Sequence, residues 1–220
     1  MDWFAPIDAY CERLDPGYWA EPVNAVTNAA FLVGAAVMVR RLRYAHLPLA
    51  NAMVVLLALI GIGSFLFHTH AQGWAAMADV VPILCFILLY LFAAGRDYLG
   101  LSRGQSLGLV LLFFPFAAVL VPLFRLVPVL GVSAGYMPVV VLIAGVAAYL
   151  WRVAPVTARG LAIGAGLLVV SVTLRSLDQP LCTALPTGTH FGWHLLNAVM
   201  LGWMIEVYRR HMLARRVHGG

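Results

Sequence analysis

The stretch Thr189–Asn197 reads THFGWHLLN and sets two histidines, His190 and His194, four residues apart at the mouth of an apolar run. In a helix, residues at that spacing share a face, with Cβ atoms about 5–6 Å apart. Two imidazoles so placed can converge on one ion, since zinc–nitrogen bonds are about 2.0–2.1 Å long. A catalytic zinc takes a third protein ligand and leaves its fourth position to water. His68, at the end of another apolar run, is the natural third ligand. His70 is the alternative, but two residues on it faces away from His68 if the helix continues. HFGWH lacks the glutamate of HExxH, so a hydrolytic base must come from elsewhere. Asp79 is the candidate, in the next apolar run. Its competing role is to orient a histidine ligand. Ser64 lies four residues before His68, on the same face, and can donate a hydrogen bond to a developing oxyanion. Its competing role is a small residue at a helix–helix contact beside Gly61 and Gly63. The three histidines have a competing reading too, as interior side chains bonded to backbone carbonyls.

The elements that must position these residues follow from composition. The chain has 220 residues, 63% of them hydrophobic and 10% charged, far outside the soluble globular range. Its apolar runs reach the roughly 20 residues a helix needs to cross a bilayer. The reading is an all-α polytopic membrane protein forming one bundle, with no linker, low-complexity segment or internal repeat. MDWFAPIDAYCER opens the chain without the basic start of a signal peptide, so the first apolar run is expected to be retained. The net charge of +5 comes with no lysine, and the arginines cluster beside apolar runs. That is a topology signal rather than a nucleic-acid surface.

Seven transmembrane helices are predicted, roughly Glu21–Val39, Pro48–Phe67, Met77–Ala94, Gln105–Val121, Gly135–Leu150, Gly160–Leu177 and His190–Tyr208. Pro115, Pro122, Pro128 and Pro138 interrupt the fourth and fifth. Residues 1–20 form an acidic outer segment, 21–208 the bundle and 209–220 a basic tail. Arg40, Arg41, Arg43, Arg96, Arg103, Arg152, Arg159, Arg209, Arg210, Arg215 and Arg216 fall on one side, and only Arg13, Arg125 and Arg175 on the other. The positive-inside rule makes the first side cytoplasmic. The N-terminus is then outside and the C-terminus cytoplasmic, as an odd number of spans requires.

With direction fixed, His68, Asp79, Asp178, His190 and His194 fall in one outer layer, with Ser64 one turn deeper than His68. Ionisable residues in spans are costly and mark function, and a shared depth carries more weight than any one of them. The N-terminal segment adds Asp8, Glu12, Asp15 and Glu21, whose carboxylates suit calcium. Their spacing is not that of an EF-hand, and an acidic outer tail reads equally well. Asn24, Thr27 and Asn28 can bond across to neighbouring helices. Cys85 is expected to be buried mid-helix. Cys11 and Cys182 both lie outside, where a disulfide or two free thiols are open readings.

Taken together, GSFLFH (Gly63–His68), the later Asp79, HFGWH (His190–His194) and YCER…WAEPVNAVTN (Tyr10–Asn28) resemble the alkaline ceramidases. That family sits in a superfamily of seven-helix membrane hydrolases with the adiponectin and progestin receptors and the lipid-remodelling enzymes of GPI anchors. The resemblance covers the whole chain in order. It implies His68, His190 and His194 as zinc ligands, Ser64 and Asp79 beside the metal, and a Cys11–Cys182 disulfide. Eukaryotic members hold calcium in the N-terminal segment. Glu12 and Glu21 match two ligands, Tyr10 can offer a carbonyl, and Asp8 and Asp15 neighbour Ala9 and Leu14, where the eukaryotic pattern has Asp and Asn. The implied reaction is hydrolysis of an N-acyl lipid such as ceramide to a fatty acid and a long-chain amine such as sphingosine, with the lipid arriving from the bilayer. The compact loops and absence of lysine look bacterial, which places the site on the periplasmic side of an inner membrane. Two rivals stand beside this reading. One is a non-enzymatic receptor or transporter with a structural metal; the other is a haem protein using paired histidines.

Overall fold

The computed structural model describes residues 2–218, and its regular elements there are helical. Seven rods follow in order: α1 (Pro22–Leu42), α2 (Pro48–His70), α3 (Gly73–Tyr98), α4 (Arg103–Arg125), α5 (Pro128–Leu150), α6 (Pro155–Leu177) and α7 (His190–His218). The first six are long and apolar enough to cross a membrane. The seventh has 29 residues, but His190, His194, Asn197 and Glu206 lower its mean hydropathy. Each expected span falls on one rod. Several rods run longer than expected, because the polar and charged turns at helix ends carry no apolar signal.

Proline explains the remaining differences. Pro115 and Pro122 lie inside an unbroken α4, where they were expected to interrupt it. Membrane helices tolerate proline when neighbouring groups satisfy the freed carbonyls. The start of α5 is a 3-10 stretch, Pro128–Tyr136, before regular helix from Met137. Pro138 suits the first turn of that helix, where its missing N–H has no partner to lose. At the C-terminus the basic stretch continues α7 as far as His218.

The bundle has two distinct polar ends. At one, Arg41 pairs with Glu206, Tyr208 donates to Asp97, and Arg216 donates to the carbonyl of Ala45. This end gathers the close of α1 and α3 with the close of α7. At the other end the N-terminal segment folds back over the helices. Ile7 donates to the Ala71 carbonyl at 2.7 Å, and Trp74 to that of Trp3 at 3.1 Å. Between the ends the outward side chains are apolar, among them Val33, Val55, Leu111, Leu112 and Val119. Cys85 is one of the outward residues and is exposed, not buried as expected. Around Cys85 the helix is apolar on every face, so hydrophobicity does not separate its lipid side from its core side.

α2 and α3 approach each other closely at Gly63. A Cβ there would collide with the backbone carbonyl of Ala78. Only glycine permits this approach, and it brings Ser64 of α2 alongside Asp79 of α3.

Candidate metal centre and the cavity beneath it

His68 closes α2, and His190 and His194 open α7. All three are buried, at 0%, 2% and 1% exposure. One ring nitrogen from each lies within 4.8 Å of the others. Nε2 of His68, Nδ1 of His190 and Nε2 of His194 have no hydrogen-bond partner. Buried polar atoms are almost always satisfied. Three orphaned nitrogens at one place are the donor set a metal ion of the zinc type takes.

The other ring nitrogens are fixed. Nδ1 of His68 lies 2.6 Å from Oε2 of Glu21, and a carboxylate only accepts, so Nδ1 carries the proton. Nδ1 of His194 lies 3.0 Å from the Thr27 hydroxyl, which itself donates to the Val23 carbonyl at 2.8 Å. Nδ1 of His194 is therefore the donor. Both tautomers leave Nε2 with a free lone pair. His190 is held by its backbone and its ring face. Its N–H and that of Thr189 donate to Oδ1 of Asp178 at 2.9 and 2.7 Å. The Tyr10 ring stacks on its imidazole at 3.7 Å. Burial pushes the Tyr10 hydroxyl up to about 12, against the pull of Arg175.

Asp178 is a node that the sequence showed only as the end of a helix. Besides capping α7, its Oδ2 accepts from the Cys11 N–H at 2.9 Å. Gly188 sits against it with φ +63, and a Cβ there would strike both the carboxylate and Cys11. Cys11 and Cys182 form a disulfide, so a covalent link and a buried carboxylate tie the N-terminal segment to the start of α7. Arg175 was also missed. Its guanidinium donates to the Val132 carbonyl, Ser133 Oγ and the Tyr10 hydroxyl. It lies 5.5–5.9 Å from the rings of Tyr10, Tyr136 and Trp193.

The N-terminal acids do not act together. Glu12 accepts from the N–H groups of Val23 and Asn24 at 2.7 and 2.8 Å, capping α1. Glu21 accepts from Nε of Arg13 at 2.6 Å as well as from His68. Burial opposes its ionisation, but His68 and Arg13 outweigh it and hold its carboxyl below the usual range. Asp8 and Asp15 are exposed, and the Asp15 carboxylate accepts from the N–H of its neighbour Gly17.

Below the histidines an apolar cavity descends through the bundle. Ser64 and Asp79 line its head, with the Ser64 hydroxyl beside the Asp79 carboxylate. Ile83, Phe86, Ile87 and Leu91 continue the wall down α3 to Tyr98. At 1.5 Å per residue, Asp79 to Tyr98 covers about 28 Å. Val139, Ile143 and Val146 of α5 and Trp193 and Met204 of α7 close other sides.

Fold and site together define an integral membrane protein with a buried three-histidine group suited to a metal ion, set over a long apolar cavity. The family model described as Ceramidase matches residues 9–215, and the chain belongs to the ceramidase family. No curated protein matches it closely enough to count as a relative.

Proposed function

We propose that this protein is a zinc-dependent amide hydrolase that cleaves N-acyl lipids such as ceramide inside the membrane. The observation that carries the reading is the set of three orphaned histidine nitrogens directly above a cavity headed by Ser64 and Asp79. The donor set is that of a catalytic zinc site with an open position. Held by His68, His190 and His194, zinc would supply a Lewis acid for the amide carbonyl and lower the pKa of water.

The chain's own residues do the rest. The apolar cavity holds the acyl chain and keeps bulk water from the amide. The Asp79 carboxylate takes the proton of the attacking water and returns it to the departing amine nitrogen. The Ser64 hydroxyl donates to the carbonyl oxygen as negative charge develops there. Glu21 and Thr27 already hold the Nδ1 protons of His68 and His194, and His190 is held by its backbone and the Tyr10 ring. That leaves Asp79 free for proton transfer rather than ligand orientation. The fatty acid and the long-chain amine leave toward the bilayer. The arginine bias supports an outward-facing metal end, and the compact loops and absence of lysine support a bacterial inner membrane with that end on the periplasmic side.

The test is elemental mass spectrometry of the detergent-purified protein, beside hydrolysis of a panel of N-acyl lipids. About one zinc per chain, lost in His194→Ala, with hydrolysis lost in Asp79→Asn, is expected. A folded, chelator-free protein without zinc would sink the proposal.

A further inference from the structure

The calcium ion that the resemblance attaches to the N-terminal segment does not fit the residues present. The place where the acidic segment meets the bundle already holds a positive charge. Arg13 is 7% exposed and directs its guanidinium at four oxygens. Nε donates to Oε1 of Glu21 at 2.6 Å. Nη1 donates to the carbonyls of Asp15 and Gly17 at 3.2 and 3.4 Å. Nη2 donates to the carbonyl of His68 at 3.0 Å. One carboxylate and three carbonyls are the kind of oxygen set a hard divalent cation takes. Here a guanidinium fills it, and its charge and bulk leave no place for a second cation.

The remaining acids are committed elsewhere. Both oxygens of Glu12 accept backbone N–H groups of α1. Asp8 and Asp15 are exposed. Leu14 is 88% exposed and brings no oxygen. Among the described residues, no three of these carboxylates come within metal-binding distance of one another.

We infer that Arg13 is a built-in replacement for that ion: its guanidinium fastens the N-terminal segment and, through Glu21, positions His68, so the protein needs no calcium. A buried carboxylate requires a counter-charge. Glu21 is 2% exposed and receives that charge from the chain itself. Because Oε2 of Glu21 accepts from Nδ1 of His68 while Nη2 of Arg13 holds the His68 carbonyl, Arg13 grips this histidine by ring and backbone. Arg13 is a positioning residue and touches no substrate. The positioning half of the inference rests on the three histidines being a metal centre; the calcium half does not.

The test pairs calcium binding with metal affinity in the full-length, detergent-purified chain. Wild type, Arg13→Ala and Arg13→Lys are washed with a calcium-selective chelator. Each is then measured for radioactive calcium binding, for thermal melting with and without calcium, and for zinc affinity by chelator competition. Wild type is expected to bind no stoichiometric calcium and to melt at one temperature in both conditions. Arg13→Ala should melt several degrees lower and bind zinc about tenfold more weakly or worse, with Arg13→Lys recovering part of both. One calcium bound per wild-type chain, with lower melting after chelation, overturns the replacement. Unchanged melting and zinc affinity in Arg13→Ala overturn the positioning role. If Arg13→Ala does not fold, Arg13→Lys and the wild-type calcium measurement still decide. A wild type that binds neither zinc nor calcium would defeat the hydrolase reading and leave the calcium half standing.

Discussion

Oε2 of Glu21 lies 2.6 Å from Nδ1 of His68, and both side chains are shut away from solvent. Partners of this kind fix the ring and its tautomer, and losing one costs about 10–100-fold in metal affinity. Glu21→Gln keeps an acceptor but loses the charge, and it strands the Arg13 guanidinium. Zinc affinity by chelator competition should fall within that range. Glu21→Ala should add a stability loss of about 3–5 kcal/mol, the usual result of breaking one side of a buried pair. A wild-type melting curve for Glu21→Ala would refute this.

Asp79 and Ser64 should separate chemistry from metal binding. Neither belongs to the three-histidine group, and both line the cavity head. Asp79→Asn should keep its zinc and its fold while hydrolysis falls by about 100-fold to 10,000-fold, the usual worth of general acid–base catalysis. Ser64→Ala should lose about 100-fold to 1,000-fold, as for one oxyanion donor. Zinc counted on the same preparations used for kinetics checks both. Loss of zinc in Asp79→Asn would make Asp79 a ligand orienter instead.

The parts legible in the sequence were those written in local spacing. The i,i+4 histidines, the serine one turn before His68 and the apolar runs each lie within a single helix, so periodicity exposes them. The parts that were missed are contacts between distant segments. Glu21 and His68 are 47 residues apart, Thr27 and His194 are 167 apart, and Asp178 reaches Cys11 across 167. No local pattern encodes such a pairing. Glu21 therefore read as a calcium ligand beside Glu12, although the two serve a histidine and a helix start. Arg13 and Arg175 read only as outer charges, because topology counting ignores whether a guanidinium is buried among carbonyls and rings.

Gly63 sets the distance between Ser64 and Asp79, on which their proposed roles depend. A methyl group there would strike the Ala78 backbone, which cannot rotate away as a side chain does. Gly63→Ala should push α2 from α3, cost about 1–3 kcal/mol or more as overpacking does, and draw Ser64 away from Asp79. Hydrolysis should fall further than zinc content in this variant, as measured on the same sample. Equal losses of both would mean that the helix pair collapses as a whole.

The Cys11–Cys182 link closes a span of 171 residues. Cross-links over long loops stabilise by about 2–5 kcal/mol in the chain-entropy account. Cys11→Ser with Cys182→Ser should lower the melting temperature accordingly. Zinc should remain, because Asp178 still receives the N–H groups of residue 11, Thr189 and His190. Adding Asp178→Asn to the pair weakens that second tie, and zinc affinity should then drop. Zinc loss in the cysteine pair alone would show that the disulfide, not the carboxylate, holds the histidine helix in place.

The cavity makes the last prediction, on chain length. Its wall reaches from Asp79 to Tyr98 along α3, about 28 Å of helix, enough for a long extended acyl chain. Val146 lines it on α5, near the helix end opposite the histidines, and is only partly buried. Val146→Phe would grow into open space rather than into packed core, so the fold and the zinc site should be unaffected. The larger ring should block the far end, lowering kcat/KM for the longest acyl chains while leaving short-chain lipids near wild type. One or two displaced methylenes are worth about 1–3 kcal/mol, or roughly 10-fold to 200-fold in that ratio. A uniform loss across all chain lengths would place the acyl chain elsewhere and leave this cavity to the long-chain amine.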